Sequence, residues 1–519
     1  MRGYRSLKKA GEIHKISSLK QDLTDAQLNL TSGHFSKYLL GAGYSHGEIN
    51  VRQYLLFRIG WMGLNRALLY ALGKPKGKVI YPLPKSWREI ICKHGFDVAN
   101  IRSSLLWQLY IFGALLYGVL QLVKVIFSGC ATLLYKPIKP KKYVYFSSLS
   151  FGNLPPHVNN KNSYDIVSWY LQWDGKPSGV EAIHHSVPNA LNRMVNRVQL
   201  IYQKQILPPL TGWKVILGYI LWSIVAFFIA LIDCIRCRWW HALMLNQIAL
   251  SKQIRCLSEE LLADEYLFHN SEFIYRPLWT YDAEKRGAII TLYFYSTNCE
   301  SFKTSNGYQP IPFGWKAMSW PRYLVWNEYQ ADFLLRAVPK NLNFKAVGSI
   351  PFSNIASEIP NLDKLAVAVF DVSPRRVSRY VTLGMPTEFY TPAVINSFLQ
   401  QINDAISNNG LIMLWKQKRE LGSLAHPLYR SLSERLIENN DVKLVCSDVA
   451  PKIIIKASVA VVSIPFTSTA LIAREMGKPS VYYDPTGLLQ KDDRAAHGIP
   501  ILSNFAELES WIFNQIHIR

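Results

Sequence analysis

The sequence predicts an α/β protein with two Rossmann-like domains, a basic helical N-terminal extension and inserted apolar helices. Three observations carry this reading. From about residue 141 onwards, short apolar runs rich in β-branched residues alternate with helix-length segments. A charged passage containing Pro and Asn, Phe352 to Lys364, divides that series in two. Two long uncharged stretches, Ser103–Val123 and Val215–Ile232, stand outside the alternation. The expected boundaries are 1–140 for the basic helical region with its apolar segment at 103–135, 141–355 for a first α/β domain holding a second apolar segment at 213–235, and 365–519 for a second α/β domain.

At 519 residues the chain has room for two or three domains. Hydrophobic residues make up 49% and charged residues 18%, which excludes a disordered chain. The net charge of +22 points to anionic partners: nucleic acid, anionic lipid or an anionic substrate. No motif of basic residues interleaved with aromatics supports nucleic acid, so none is expected. The 7 cysteines are sparse and odd in number, as in a reducing compartment. Cys234-Ile-Arg-Cys237 lacks a second pair, no Asp-X-Asp follows a strand and no P-loop lysine appears, so no metal is required. The N terminus, Met-Arg-Gly-Tyr-Arg-Ser-Leu-Lys-Lys, does not read as a secretory signal.

Residues 1–100 are helical by pattern. The two apolar stretches reach the length of membrane-spanning helices. Lys and Arg flank them on every side, which removes the charge asymmetry that orients a spanning pair. The basic loop between them holds Tyr143–Ser148, a strand expected to share a sheet with later strands. Interfacial or re-entrant helices on the cytoplasmic face of the inner membrane are therefore preferred over spanning or buried ones, with Trp107, Trp213 and Trp222 near an anionic membrane surface.

In the first α/β series, Asp165–Trp173 reads as a helix, as does Ile248–Leu262, and Glu265–His269, Ala288–Tyr295, Tyr323–Trp326 and Phe344–Gly348 read as strands. In the second, strands are expected at Leu365–Val372, Leu411–Trp415, Val442–Cys446, Val459–Ile464 and Ser480–Tyr483, with helices at 391–408, 427–438, 449–457, 468–476 and 505–516. Strands separated by helices imply parallel sheets with right-handed crossovers, and a ligand in the crevice at their C-terminal ends.

Val461 to Asp484 is the most informative stretch. Pro465 stops a buried strand, Thr467 and Ser468 suit a helix start, and Gly477-Lys478-Pro479 ends the helix. Free N–H groups and the dipole at such a start attract phosphate, with Thr467, Ser468 and Thr469 adding hydroxyls. Glu475, two turns along, is placed to reach a ribose. Strand 411–415 ends in Lys416-Gln-Lys418-Arg419, and His426 precedes Pro427 at the next helix start. Both read as phosphate contacts. Activating an acceptor hydroxyl needs a carboxylate or a neutral imidazole. By type and position His157, Asp165, Asp174 and His269 qualify in the first domain, followed by Glu328, Glu272 and Asp282.

The block Lys416–Arg419, His426-Pro427, Pro465-Phe-Thr-Ser-Thr469 and Glu475-Met-Gly-Lys-Pro479 resembles bacterial surface-carbohydrate biosynthesis proteins. The C-terminal half, about 365–515, resembles the donor domain of a GT-B glycosyltransferase. More distantly it is similar to capsule polymerases and bacterial sialyltransferases, which use CMP-activated acidic sugars and carry His-Pro and Ser/Thr motifs. The resemblance extends through Phe268–Trp279 and Tyr293–Asn298. It implies His426, Ser468 and Thr469 as phosphate contacts, Glu475 as a ribose contact, and a base in an acidic-acidic-Gly motif, here matched only by Trp173-Asp174-Gly175. It further implies a nucleotide-sugar donor as co-substrate, no cofactor, and a glycan or lipid-linked acceptor. Rival readings are a polyol-phosphate transferase of the teichoic-acid kind and a non-catalytic scaffold in polysaccharide export.

Overall fold

The computed structural model describes residues 35–46, 61–134, 142–155, 165–311, 313–338, 342–351, 358–376, 379–380, 388–418, 421–422 and 425–517, except 189 and 191, with isolated positions between 15 and 26. Helices α1 (Lys37–Leu40), α2 (Trp61–Leu72) and α3 (Lys85–Lys93) precede α4 (Asn100–Thr132). The first sheet follows: β1 (Tyr143–Phe146), α5 (Ile166–Gln172), β2 (Ala182–His185), β3 (Arg193–Val195), β4 (Val198–Tyr202), α6 (Trp213–Ile235), α7 (Trp240–Cys256), β5 (Glu265–His269), α8 (Trp279–Lys285), β6 (Ile289–Tyr293), α9 (Phe313–Lys316), β7 (Arg322–Val325), α10 (Glu328–Ala337) and β8 (Phe344–Ala346). The second comprises β9 (Ala366–Phe370), α11 (Pro392–Asn408), β10 (Ile412–Lys416), α12 (Pro427–Ile437), β11 (Val442–Val445), α13 (Pro451–Lys456), β12 (Ala460–Ser463), α14 (Ser468–Glu475), β13 (Ser480–Tyr483), β14 (Ile501–Leu502) and α15 (Phe505–His517).

The first sheet has the order β3-β4-β2-β1-β5-β6-β7-β8 and is parallel except for the β3–β4 hairpin. Asn196 and Arg197 form that hairpin's two-residue loop with φ of 48° and 68°, the double left-handed conformation that matches strand twist. β1 lies between β2 and β5, so the segment separating the two apolar stretches is central to the sheet. Strands β2, β3, β4 and β14 are absent from the sequence reading. The helix expected at 248–262 instead runs over Trp240–Cys256.

The second sheet has the order β11-β10-β9-β12-β13-β14, all parallel. Its central strands are buried on both faces, which is why they read as unbroken apolar runs. Ala366, Ala368 and Phe370 join a core continuous with the first domain. Val367 and Val369 join Ile395 and Phe398 of α11, Leu432 of α12 and Leu508 of α15.

α4 and α6 run antiparallel. Trp107 near the start of α4 meets Trp239 beyond the end of α6 at 5.2 Å, and Gly129 near the end of α4 faces Ile216 at the start of α6. Both pack on α7. At Gly118 a Cβ would come within 2.4 Å of the Leu245 Cβ, so only glycine permits this approach of α4 to α7. The best 18-residue windows of α4 and α6 have mean hydropathy 1.9 and 2.7 and are 28% and 33% buried.

Candidate active site

From β9 the chain steps to β10 and β11 in one direction. It returns to β12 and continues to β13 and β14 in the other. Right-handed crossovers then place α11 and α12 on one face and α13 and α14 on the other, with a crevice where the order reverses, at the C-terminal ends of β9 and β12. The corresponding edge of the first sheet meets this crevice. Thr297, beyond β6, has its hydroxyl oxygen 3.4 Å from that of Ser468 at the start of α14. Phe302 of the same loop packs against Phe466 at 5.4 Å. Farther along, Lys303 N–H donates to Asp493 at 2.7 Å and the Tyr308 hydroxyl donates to Asp493 at 3.1 Å.

The start of α14 is not capped as expected. Thr467 occupies the N-cap position but makes no side-chain cap bond. Its hydroxyl donates to the carbonyl of Ile464 at 3.1 Å. Thr467 has a single hydroxyl proton, so Thr469, 3.1 Å away, must donate to it. Ser463, 2.9 Å from Thr469, must then donate to Thr469. This chain of three hydroxyls consumes all three protons internally, whereas three hydroxyl donors for an anion were expected. The groups left for an anion are the first-turn N–H groups of α14 and the hydroxyl of Ser468. Tyr482 holds the turn from below by donating to the Thr467 carbonyl at 2.8 Å.

The other predicted donor-side residues divide. Lys416, at the end of β10, is buried and donates to the Ser447 carbonyl. Burial lowers its pKa, with Cys446, Asp448 and Asp371 acting in the opposite sense. Lys418 is exposed, and Arg419 lies outside the described residues. His426 caps α12, its Nδ1 accepting from Leu428 N–H at 3.3 Å. α12 and α14 start on the same edge but on opposite faces, with β9 between their strands. Both helix starts therefore flank the crevice, His426 from one face of the sheet and Ser468 from the other. Glu475 accepts from the backbone N–H of Ser349, beyond β8, at 3.1 Å. Gly348 beside it has φ of 75°. Glu475 thus ties the far end of α14 to the first domain.

On the first domain's edge, His269 ends β5 and is 7% exposed. Its Nε2 donates to the carbonyl of Ser148 at 3.2 Å, and its Nδ1 is buried without a partner. Burial lowers its pKa, against the opposing pull of the Ser148 carbonyl and Glu272. Ser148 has φ of 57°, a left-handed conformation uncommon for a residue with a side chain.

Asp165 is buried and accepts from Ser168 N–H at 2.8 Å, the N-cap bond of α5. Asp174 follows the C-terminal end of α5 and is exposed. Its neighbour Gly175 accepts from Arg322 at the start of β7, which puts Asp174 at the strand N-terminal edge, away from the crevice. Asp282 accepts from Ala42 N–H and Ser251 and anchors the N-terminal segment. Glu328 and Glu272 are exposed, and His157 lies outside the described residues. Two groups escaped the sequence reading. Asp371, at the end of β9, is buried, accepts from Tyr429 and has its pKa raised to about 6 by burial. His185, at the end of β2, is buried with an unpartnered Nε2, and burial lowers its pKa to about 4. Their signal was available as Asp or His directly after a buried run. Among the described residues no three metal-ligating side chains converge.

The sequence matches the family described as polysaccharide biosynthesis PFTS motif protein over residues 222–512, more than half of the chain. The chain belongs to the polysaccharide biosynthesis PFTS motif family. Read as one-letter codes, the four letters in that name are Pro465-Phe466-Thr467-Ser468, the turn into α14. The PFTS match spans β5–β8 of the first sheet and the whole second sheet and leaves out β1–β4. Among solved structures the chain is similar to the wall teichoic acid polymerase TagF, at 12% identity over 79% of this chain and 89% of that one, with a TM-score of 0.38. It is also similar to the UDP-GlcNAc 2-epimerase of Methanocaldococcus jannaschii, at 9% identity over 72% and 92%, with a TM-score of 0.37. A third is the lipopolysaccharide outer core galactosyltransferase WaaB, at 10% identity over 72% and 90%, with a TM-score of 0.35. No curated protein matches the sequence.

Proposed function

We propose that the protein is a metal-independent GT-B glycosyltransferase that moves a sugar from a nucleotide-activated donor to a surface polysaccharide or lipid-linked acceptor, at the cytoplasmic face of the inner membrane. The observation that carries this reading is the PFTS turn, where a helix start without a side-chain cap opens at the sheet's reversal point. There the first-turn N–H groups of α14 and the Ser468 hydroxyl take the charge that develops on the departing phosphate. Lys416 and Lys418 raise the local positive potential, and His426 contributes from the start of α12.

His269 is the acceptor-side base in this reading. With its Nε2 proton committed to Ser148, Nδ1 keeps its lone pair; the atom is buried, so it takes the proton of an acceptor hydroxyl only after the side chains covering it move aside. Asp165 supports that edge by holding α5 in place.

Incubating the purified protein with CMP-, UDP- and CDP-linked donors and measuring the released nucleotide tests the proposal. Release of one nucleotide with sugar transferred, slowed about 10²-fold or more by His269→Gln, is expected. Transfer of a polyol phosphate would instead identify a teichoic-acid-like transferase. Polysaccharide synthesis that persists in the His269→Gln variant would exclude His269 as the base, and absence of nucleotide release from every donor would favour a scaffold.

A further inference from the structure

We infer that α4 and α6 lie in the plane of an anionic bilayer, immersed on one side, and do not cross it. This deepens the proposed reaction by fixing how a lipid-linked acceptor is met, and it rests on that reading only for the acceptor.

The outward side of the pair is broad and apolar. Leu109 is 65% exposed, Phe112 54% and Leu120 66% on α4; Leu221 is 58%, Ile224 50% and Phe228 52% on α6. Spacings of three, four and eight residues keep each set on one helix face. An apolar surface this continuous marks an interaction site. The inward side faces α7, whose buried residues include His241, Asn246, Ser251 and Gln253. If α4 and α6 crossed the bilayer, α7 would have to recross it with these groups and Lys252 and Arg255.

The end of the pair remote from the sheet is also wrapped by folded polar chain. Ser103 donates to the Val79 carbonyl at 3.4 Å, and Ser36 N–H donates to His241 at 3.1 Å. Moreover, 33 residues of α-helix extend about 50 Å, well beyond a hydrocarbon core of about 30 Å. Charge identifies the lipid. Arg102, Lys124, Lys214 and Arg236 are exposed on or beside these two helices, whereas their one carboxylate, Asp233, is bound to His241 at 2.5 Å. Only cations are left for headgroups, which suits anionic lipid.

The full chain, added to preformed sealed vesicles, provides the test. Cys237 lies at the remote end and Cys446 on the second domain, and both are exposed. With Cys92 and Cys130 replaced, a membrane-impermeant maleimide should label both from outside. Labelling of Cys237 only after permeabilisation would overturn the proposal. In flotation, the protein should bind phosphatidylglycerol vesicles about tenfold more tightly than phosphatidylcholine vesicles. Leu109→Asp combined with Leu221→Asp should abolish flotation and leave the melting temperature and nucleotide release on a soluble acceptor unchanged. Undiminished flotation by that variant, or a lipid-free dimer that does not float, would refute it. Intact flotation without any nucleotide release would count against the proposed reaction and leave this inference standing.

Discussion

The Nε2 of His269 lies 3.2 Å from the carbonyl oxygen of Ser148, and this contact fixes which nitrogen of the imidazole carries the proton. A carbonyl only accepts, so Nε2 is protonated and Nδ1 is the basic atom. The left-handed Ser148 backbone aims that carbonyl. A conformation of this kind costs of order 1 kcal/mol and persists where surrounding structure enforces it.

His269→Gln should lower the transfer rate by about 10²-fold or more and leave nucleotide affinity unchanged. A base works in its neutral form, and burial depresses the pKa of His269. The rate should therefore hold at mildly acidic pH and fall only below the usual imidazole range, near 6.5. A wild-type rate profile that breaks above that value would exclude His269 as the base.

Thr469→Val separates structure from binding at the helix start. Valine keeps the shape but strands the Ser463 donor and the Thr467 acceptor, at a cost of about 1–3 kcal/mol. The denaturant midpoint should drop while nucleotide affinity changes little. Ser468→Ala should do the reverse, with several-fold weaker nucleotide binding at unchanged stability. Equal affinity losses in the two variants would contradict this division.

Asp371→Asn tests the buried carboxyl beneath the crevice. Its folded pKa of about 6 exceeds the ordinary value of 3.8, so the native state binds the extra proton between them and stability falls as pH rises through that window. Above pH 6 the full penalty applies, at most about 3 kcal/mol. Asparagine keeps an acceptor for Tyr429 and removes the charge. Unfolding at pH 7.5 should show a gain of about 1–3 kcal/mol that shrinks towards pH 4. A difference independent of pH would show that burial of charge is not the cause.

Glu475→Ala should speed hydrogen exchange at the Ser349 amide and cost about 1 kcal/mol of stability, because it removes that amide's acceptor. A fall in nucleotide affinity in the same variant would show that Glu475 also meets the ribose.

All of the second sheet but β14 was legible in the sequence because its central strands are buried on both faces and its helices carry capping signals such as Thr391-Pro392 and His426-Pro427. Strands β2–β4 were not. β3 and β4 are short and partly exposed, β2 is a buried run of only four residues, two of them histidines, and the Asn196-Arg197 turn lacks the glycine that usually announces a hairpin. Helix α7 was misplaced because it is buried nearly all round and gives no clean apolar stripe. At the site, the residues at the α14 start were recognisable from type and spacing. Which hydroxyls were already spent was not, since that depends on Ser463 and the Ile464 carbonyl, which only folding brings into reach. Asp174 illustrates the converse: a motif-like triplet whose helix carries it to the wrong edge.

The internally satisfied hydroxyl relay has a consequence for selectivity. Main-chain amides recognise negative charge and are blind to nucleobase and sugar alike. A grip of this kind can be inherited unchanged by enzymes with different activated sugars, each setting its preference in side chains that line the remainder of the cleft. If the α14 start holds the departing phosphate as proposed, re-aiming the protein to another donor should begin well away from residues 465–469.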